Sequence, residues 1–205
     1  MNKNNIICID REFGSGGRHI GKRVAEILGI PYYDKELIEI AAKSSGYSKQ
    51  FFEDNDEQPT NSFLYSLSIG AYSFNNSLTG IAQMPITDKV FQIESDIIRE
   101  TASKGSCVIV GRCAGNVLKD IDGVFTVFVH ADLDYRVARV AEFENISKEK
   151  ASDLVKKTDK KRAGYHNMYS DLRWGDAKAY DLCINGALGI DESADLIVWA
   201  INNII

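Results

Sequence analysis

The chain has 205 residues, 44% of them hydrophobic and 26% charged, with a net charge of -5. That length can bury a core as a single domain spanning 1–205. The acidic balance excludes a chain-wide field for nucleic acid or an anionic membrane, so any phosphate binding must be local.

The segment before Arg11 carries one Lys and a short apolar run, too little for a secretory signal, and no later stretch approaches a membrane span. Residues 5–10 (NIICID) read as a strand covered on both faces. A glycine loop, Gly14-Ser15-Gly16-Gly17, follows, and then a helix over 18–28 with Ile20, Val24, Ile27 and Leu28 on one stripe and Gly29 as its stop. Residues 30–34 (IPYYD) form a weaker second strand, after which Asp34 is a candidate N-cap for a helix over 35–43.

The region 44–87 breaks the pattern. It is polar, rich in Asn and Ser, and dotted with Phe51, Phe52, Phe63, Tyr65, Tyr72 and Phe74. An insertion of this length is usually functional; its aromatics suit a small core or a self-association surface rather than a base cage. A helix over 89–104, strands at 106–110 and 123–130, and a helix over 132–144 with Asp132 as its cap come next. Residues 147–173 hold the basic run KEKASDLVKKTDKKR, which composition alone reads as an exposed helix face. A turn at Trp174-Gly175-Asp176, expected to pack, precedes a strand at 181–185 and a closing helix at 191–204. Five strands joined by helical crossovers predict an α/β fold: a parallel five-stranded sheet with helices on both faces, in three layers. Cys8, Cys107, Cys113 and Cys183 lack metal-type spacing and read as reduced thiols, which places the chain in the cytoplasm.

The sequence signal for chemistry is strand, glycine loop, helix. Glycines let successive N–H groups turn inward on an anion, and the helix adds its positive end. The spacing is not that of a dinucleotide fingerprint, because His19 stands where the third glycine belongs. In the register of a P-loop, Arg11 takes the first glycine, Gly17 the lysine and Arg18 the hydroxyl position. Arg18 in a first helical turn is electrostatically unfavourable unless an anion sits there. Arg112, directly after a buried strand, stands at the sheet edge where such folds bind phosphate.

Laid end to end, IICIDREFGSGGRHIGKRVAEILGIPYYDKE, GSCVIVGRCAG, VFTVFVHADLDYRVARV, TDKKR and AYDLCING resemble the cytidylate-kinase-like family, within the P-loop nucleoside monophosphate kinases. The resemblance implies a P-loop core with a helical or irregular acceptor-binding insert at 44–87, a lid at 147–173, and ATP with Mg²⁺ as cofactors. It implies a small-molecule nucleotide as partner, with neither nucleic acid nor membrane. Transfer of a phosphoryl group to a nucleoside monophosphate is the implied activity; a nucleotide-binding protein without turnover, or a kinase for a non-nucleotide acceptor, is the alternative. By the same resemblance, catalysis falls to Arg18, Arg162 and Arg139. Donor phosphates fall to Gly14, Ser15, Gly16, Gly17, Arg18, His19 and Arg136, the acceptor to Asp34, Arg112 and Asp159, and Mg²⁺ to Ser15 and Asp10. Cys113 replaces the Asp that reads cytosine in the family.

Overall fold

Alternation along the first strand, β1 (Ile6–Arg11), sends Ile6 and Cys8 to one face of a sheet and Ile7 and Ile9 to the other. Both sets are buried, so the strand has to be covered twice. Each fully buried isoleucine contributes about 1.5–3 kcal/mol to that arrangement. The computed structural model describes residues 5–58 and 85–204. In it β1 lies at the centre of an all-parallel sheet with β2 (Tyr32–Tyr33), β3 (Cys107–Val110), β4 (Val124–His130) and β5 (Leu182–Asn185), in the order β2-β3-β1-β4-β5. Ile6 pairs with Cys107 on one side and Val124 on the other.

One face is covered by α1 (Gly17–Leu28) and α8 (Ile190–Ile204), through Ile20, Val24, Ala194, Ile197 and Ile201. The other is covered by α2 (Glu36–Ser45), α3 (Lys49–Asn55), α4 (Ile86–Ser103) and the short α5 (Ala114–Val117). The five expected strands, the parallel sheet and the three layers are all present. A satellite core of Val140, Ala151 and Val155 joins α6 (Leu133–Phe143) to α7 (Lys148–Tyr169) and packs Phe13 of the glycine loop against them. No helix among the described residues is long and apolar enough to cross a membrane.

Several local expectations change. Asp34 does not cap α2: Lys35 holds the N-cap position without a side-chain cap bond, and Asp34 turns to two arginines instead. Asp132 precedes α6 but its side chain makes no cap bond. The basic segment from 148 is one 22-residue helix with Ser147 accepting from the Lys150 N–H. Its lysines at 156, 157 and 160 are exposed, while Asp159 and Arg162 turn inward. Phe52 is fully buried, with Tyr47 stacked on Phe51 at 4.6 Å and Phe51 edge-on to Phe52 at 5.4 Å, and both phenylalanines join the main core with Leu37 and Ile98 rather than forming a core of their own. Phe63, Tyr65, Tyr72 and Phe74 lie outside the described residues. Trp174 packs edge-on against Phe128 at 5.2 Å. The four cysteines are free thiols, three of them buried.

Candidate functional site

Gly14 and Gly16 adopt φ of 84° and 92°, which L side chains rarely reach, and Gly16 opens α1 as a left-handed N-cap. Around Gly14 there is no space for a side chain either: a Cβ would lie 2.9 Å from the Arg136 carbonyl oxygen and from Val140 Cγ2. Within the loop, the Ser15 N–H donates to Glu12 O at 3.3 Å and the Phe13 N–H to Asp159 Oδ1 at 2.7 Å. The amides of Gly14, Gly16, Gly17 and Arg18 have no protein acceptor among the described residues. No acidic residue lies in the first turn of α1. Four unpartnered amides at the positive end of a helix make a cradle for an anion.

Cations surround the cradle. Arg139 stands over Gly16, its Cζ 3.9 Å from the position of a Cβ there. His19 is exposed, edge-on to Phe143 at 6.4 Å. Partial burial and the nearby Arg139, Arg18 and Lys22 lower its pKa, which favours the neutral ring. Arg18 extends from α1 to Asp34, with Nε 2.6 Å from Oδ2, and so links the loop to the end of β2. Arg136 takes a different position from its neighbour three residues on. It is buried and donates to Ala131 O, Phe13 O and Asp159 Oδ2 at 2.9, 3.1 and 2.6 Å, with Glu12 at 3.2 Å. Its guanidinium, with Asp159, clamps the glycine loop to α6 and α7.

Ser15 and Asp10 are engaged separately. The Ser15 hydroxyl is fully buried and donates to Glu12 O at 2.9 Å. Asp10 Oδ2 accepts from Tyr180 Oη at 3.0 Å and lies 3.5 Å from His166 Nε2; burial raises the Asp10 pKa against the pull of His166 and Arg11. Each already makes a hydrogen bond within the protein, and Mg²⁺, which keeps several waters, would take its remaining oxygens from the nucleotide's phosphates. Among the described residues, no cluster of three or more His, Cys, Asp or Glu could hold a metal ion.

Beyond the loop, the tips of β1, β2 and β3 carry a buried ionic cluster that composition did not reveal. Arg112 is 2% exposed. Its Nη1 donates to Asp34 O at 2.8 Å, its Nη2 to Asp56 Oδ2 at 3.1 Å and its Nε to Glu94 Oε1 at 3.3 Å. Gly111, Arg112 and Cys113 have φ of 75°, 55° and 56° in succession, a costly backbone for the two non-glycine residues. Burial by itself lowers the pKa of the Arg112 guanidinium, but the carboxylates of Asp56, Glu94, Glu57 and Asp34 outweigh it and hold it above the ordinary arginine value. Arg112 and Arg18 together face three carboxylates, which leaves one of them short of a cation. Burial pushes the Glu94 carboxyl up to about 7 despite Arg112, aided by repulsion from Asp56 and Glu57. Tyr165 Oη lies 3.4 Å from Glu94 Oε2. Arg11 and Arg162 complete the cluster through Glu57, at 2.8 and 3.3 Å. Sequence reasoning placed Asp34, Arg112, Arg162 and Asp159 near this end of the sheet but missed Arg11, Asp56, Glu57 and Glu94. The one available signal was Arg11 at the first glycine of the P-loop register.

Known proteins match along the whole length. A cytidylate kinase from Pyrococcus horikoshii is 26% identical over 200 residues, covering 95% of this chain and 86% of that protein. The solved structure of an uncharacterized protein from Eubacterium ventriosum superposes with a TM-score of 0.71 at 32% identity, covering 98% of this chain and 99% of that one. Shikimate kinase from Bacteroides thetaiotaomicron, at 14% identity, a TM-score of 0.57 and coverage of 97% and 98%, shares the fold alone. The profile of one family spans residues 6–187, from β1 past the end of β5. The glycine cradle, the parallel sheet and that match agree: the chain belongs to the cytidylate kinase-like family.

Proposed function

We propose that this protein transfers a phosphoryl group from ATP to a small acceptor, with a nucleoside monophosphate as the first candidate. The observation that carries the reading is the set of four unpartnered amides at the end of β1, under a first helical turn that contains Arg18 and His19 and no acid. Phosphoryl transfer needs positioning and charge neutralisation more than covalent chemistry from the protein. In this reading the amides of Gly14, Gly16 and Gly17 and the Arg139 guanidinium hold the donor phosphates. Arg18, bonded to Asp34, stands at the junction of donor and acceptor, and Arg162 approaches from α7.

Incubation with ATP and a panel of nucleoside monophosphates should yield ADP well above the rate without acceptor. Arg18→Ala should lower turnover on the order of 10²–10³-fold if its guanidinium neutralises the transferred group. Unchanged turnover would remove Arg18 from the chemistry.

A second reading, a kinase for a non-nucleotide acceptor, is favoured by Cys113. Its side chain is 2% exposed and sits where the family's base-reading Asp stands, so the turn offers no carboxylate to a base. Product from sugar or polyol acceptors, with none from nucleotides, would select it.

A further inference from the structure

Residue 17 lacks a side chain for a steric reason. A Cβ there would lie 2.5 Å from Arg11 Cβ and 3.2 Å from Arg11 Cγ. The lysine of a P-loop is therefore excluded from α1 by an arginine entering from β1. That arginine is buried and runs toward Gly111, where only the missing Cβ leaves room for its guanidinium. There it meets one carboxylate, Glu57, just beyond the end of α3, held at φ 50°. Glu57 Oε1 accepts from Arg11 Nη1 at 2.8 Å and from the Arg112 N–H at 3.3 Å, and Oε2 accepts from Arg162 Nε at 3.3 Å. Arg162 is braced by donating to Arg11 O at 3.1 Å and by lying over the Phe13 ring at 5.6 Å.

At this point two guanidiniums contact one carboxylate. The Arg112 side chain faces Asp34, Asp56 and Glu94, and Glu57 is the carboxylate in direct contact with both the Arg11 and the Arg162 guanidinium, while Asp34, Asp10 and Asp159 act on them without an ion-pair contact. Burial, and then proximity to Arg11, lower the pKa of Arg162 against the pull of Glu57 and Asp159. A structural ion pair needs one cation per carboxylate, and burying a second is costly. Two guanidiniums and an inward N–H, fixed by a left-handed turn, suit the oxygens of a doubly charged phosphoryl group.

Resting on the phosphoryl-transfer reading above, we infer that Arg11, Arg162 and the Arg112 N–H form a seat for a phosphoryl group, in which the Glu57 carboxylate stands in for that group. Arg11 supplies from the strand the cation that residue 17 cannot supply from the helix. Glu57 lowers the apparent affinity of the seat by occupying it, because a ligand binds only the fraction in which the seat is free.

Calorimetry of inorganic phosphate, a non-hydrolysable ATP analogue and cytidine monophosphate against wild type, Glu57→Gln and Glu57→Gln/Arg11→Met tests this. Glu57→Gln should bind phosphate about tenfold or more tightly than wild type, and the added Arg11→Met should abolish the gain. A gain for the monophosphate alone assigns the seat to the acceptor; a gain for the ATP analogue alone assigns it to the donor. Equal phosphate affinity in wild type and Glu57→Gln, or a gain that survives Arg11→Met, overturns the seat. If Glu57→Gln does not fold, Glu57→Asp, which keeps the charge but shortens the reach, should show a gain of about threefold, and none would overturn the seat equally. The two readings fail separately. A tenfold gain in a protein that makes no ADP from any acceptor removes the kinase and keeps the seat, whereas ADP formation without the gain does the reverse.

Discussion

Arg11 and Gly17 form a linked pair, and their coupling is measurable without any substrate. Gly17→Ala adds a Cβ 2.5 Å from Arg11 Cβ, and overpacking of that kind costs about 1–3 kcal/mol. Alanine also gains up to about 1 kcal/mol of helix propensity over glycine at this helix start, so the net change is modestly destabilising. In an Arg11→Gly background the Arg11 side-chain atoms that approach the added Cβ are gone, and of its three nearest neighbours Val129 Cβ, at 3.2 Å, is the one left. A double-mutant cycle by chemical denaturation should return a coupling of at least about 1 kcal/mol. Additive effects would show that the loop shifts freely and that the two substitutions in the P-loop pattern are independent. Glu94 gives a second test. Its carboxyl keeps a proton to about 7 in the folded chain and loses it near the ordinary carboxylate value when unfolded. Between those values the native state binds more protons, so stability falls as pH rises through about 4.5 to 7, by up to roughly 3 kcal/mol. Glu94→Gln should flatten that slope; an unaltered profile of melting temperature against pH would assign the proton elsewhere.

At the scale of elements, α7 determines how the loop is held. Asp159 and Arg162 lie one turn apart on its inward face, one bonded to the Phe13 N–H and Arg136, the other to Arg11 O and Glu57. Asp159→Ala should cost about 2–3 kcal/mol in urea denaturation, because Arg136 stays buried with Glu12 as its remaining carboxylate. It should also weaken binding of an ATP analogue, since it releases the loop from α7. A stability loss with undiminished analogue affinity would make Asp159 a packing residue only. The same element shows where sequence reading succeeds and where it stops. The glycine loop, the five strands and the place of Arg112 at the tip of β3 were legible, because turn chemistry and strand alternation are local. Arg136 and Arg139 share a helix face three residues apart, yet one is buried beneath the loop and the other stands over Gly16. Periodicity gives the face but not the division of labour within it. Glu57 was illegible for another reason: its partners Arg11 and Arg162 lie 46 and 105 residues away. The region around it carries no periodic pattern. Asp34 was legible as a position but not as a role, since the cap and the ion pair make equal local sense and only Arg18 and Arg112 decide between them.

For the whole molecule, the sheet order places β1 between β3 and β4, with α1 and α8 on one side and the ionic cluster at the strand tips. A ligand in the cradle therefore touches the most buried strand, and its binding energy should appear as stability of the entire domain rather than of a loop. At a hundred times its dissociation constant an ATP analogue stabilises the native state by about 2.7 kcal/mol. For a chain of this size that corresponds to a rise in melting temperature of roughly 5–10 °C. Arg139→Ala removes the guanidinium over Gly16 and leaves the four loop amides in place. A tenfold loss of affinity at the same analogue concentration reduces the stabilisation by about 1.4 kcal/mol, so the rise should shrink to about half. Without analogue, wild type and Arg139→Ala should melt within about 1–2 °C of each other, because Arg139 is half-exposed and forms no ion pair among the described residues. A full rise in Arg139→Ala would leave the amides as the whole donor site; no rise even in wild type would mean that the cradle does not bind a nucleotide's phosphates.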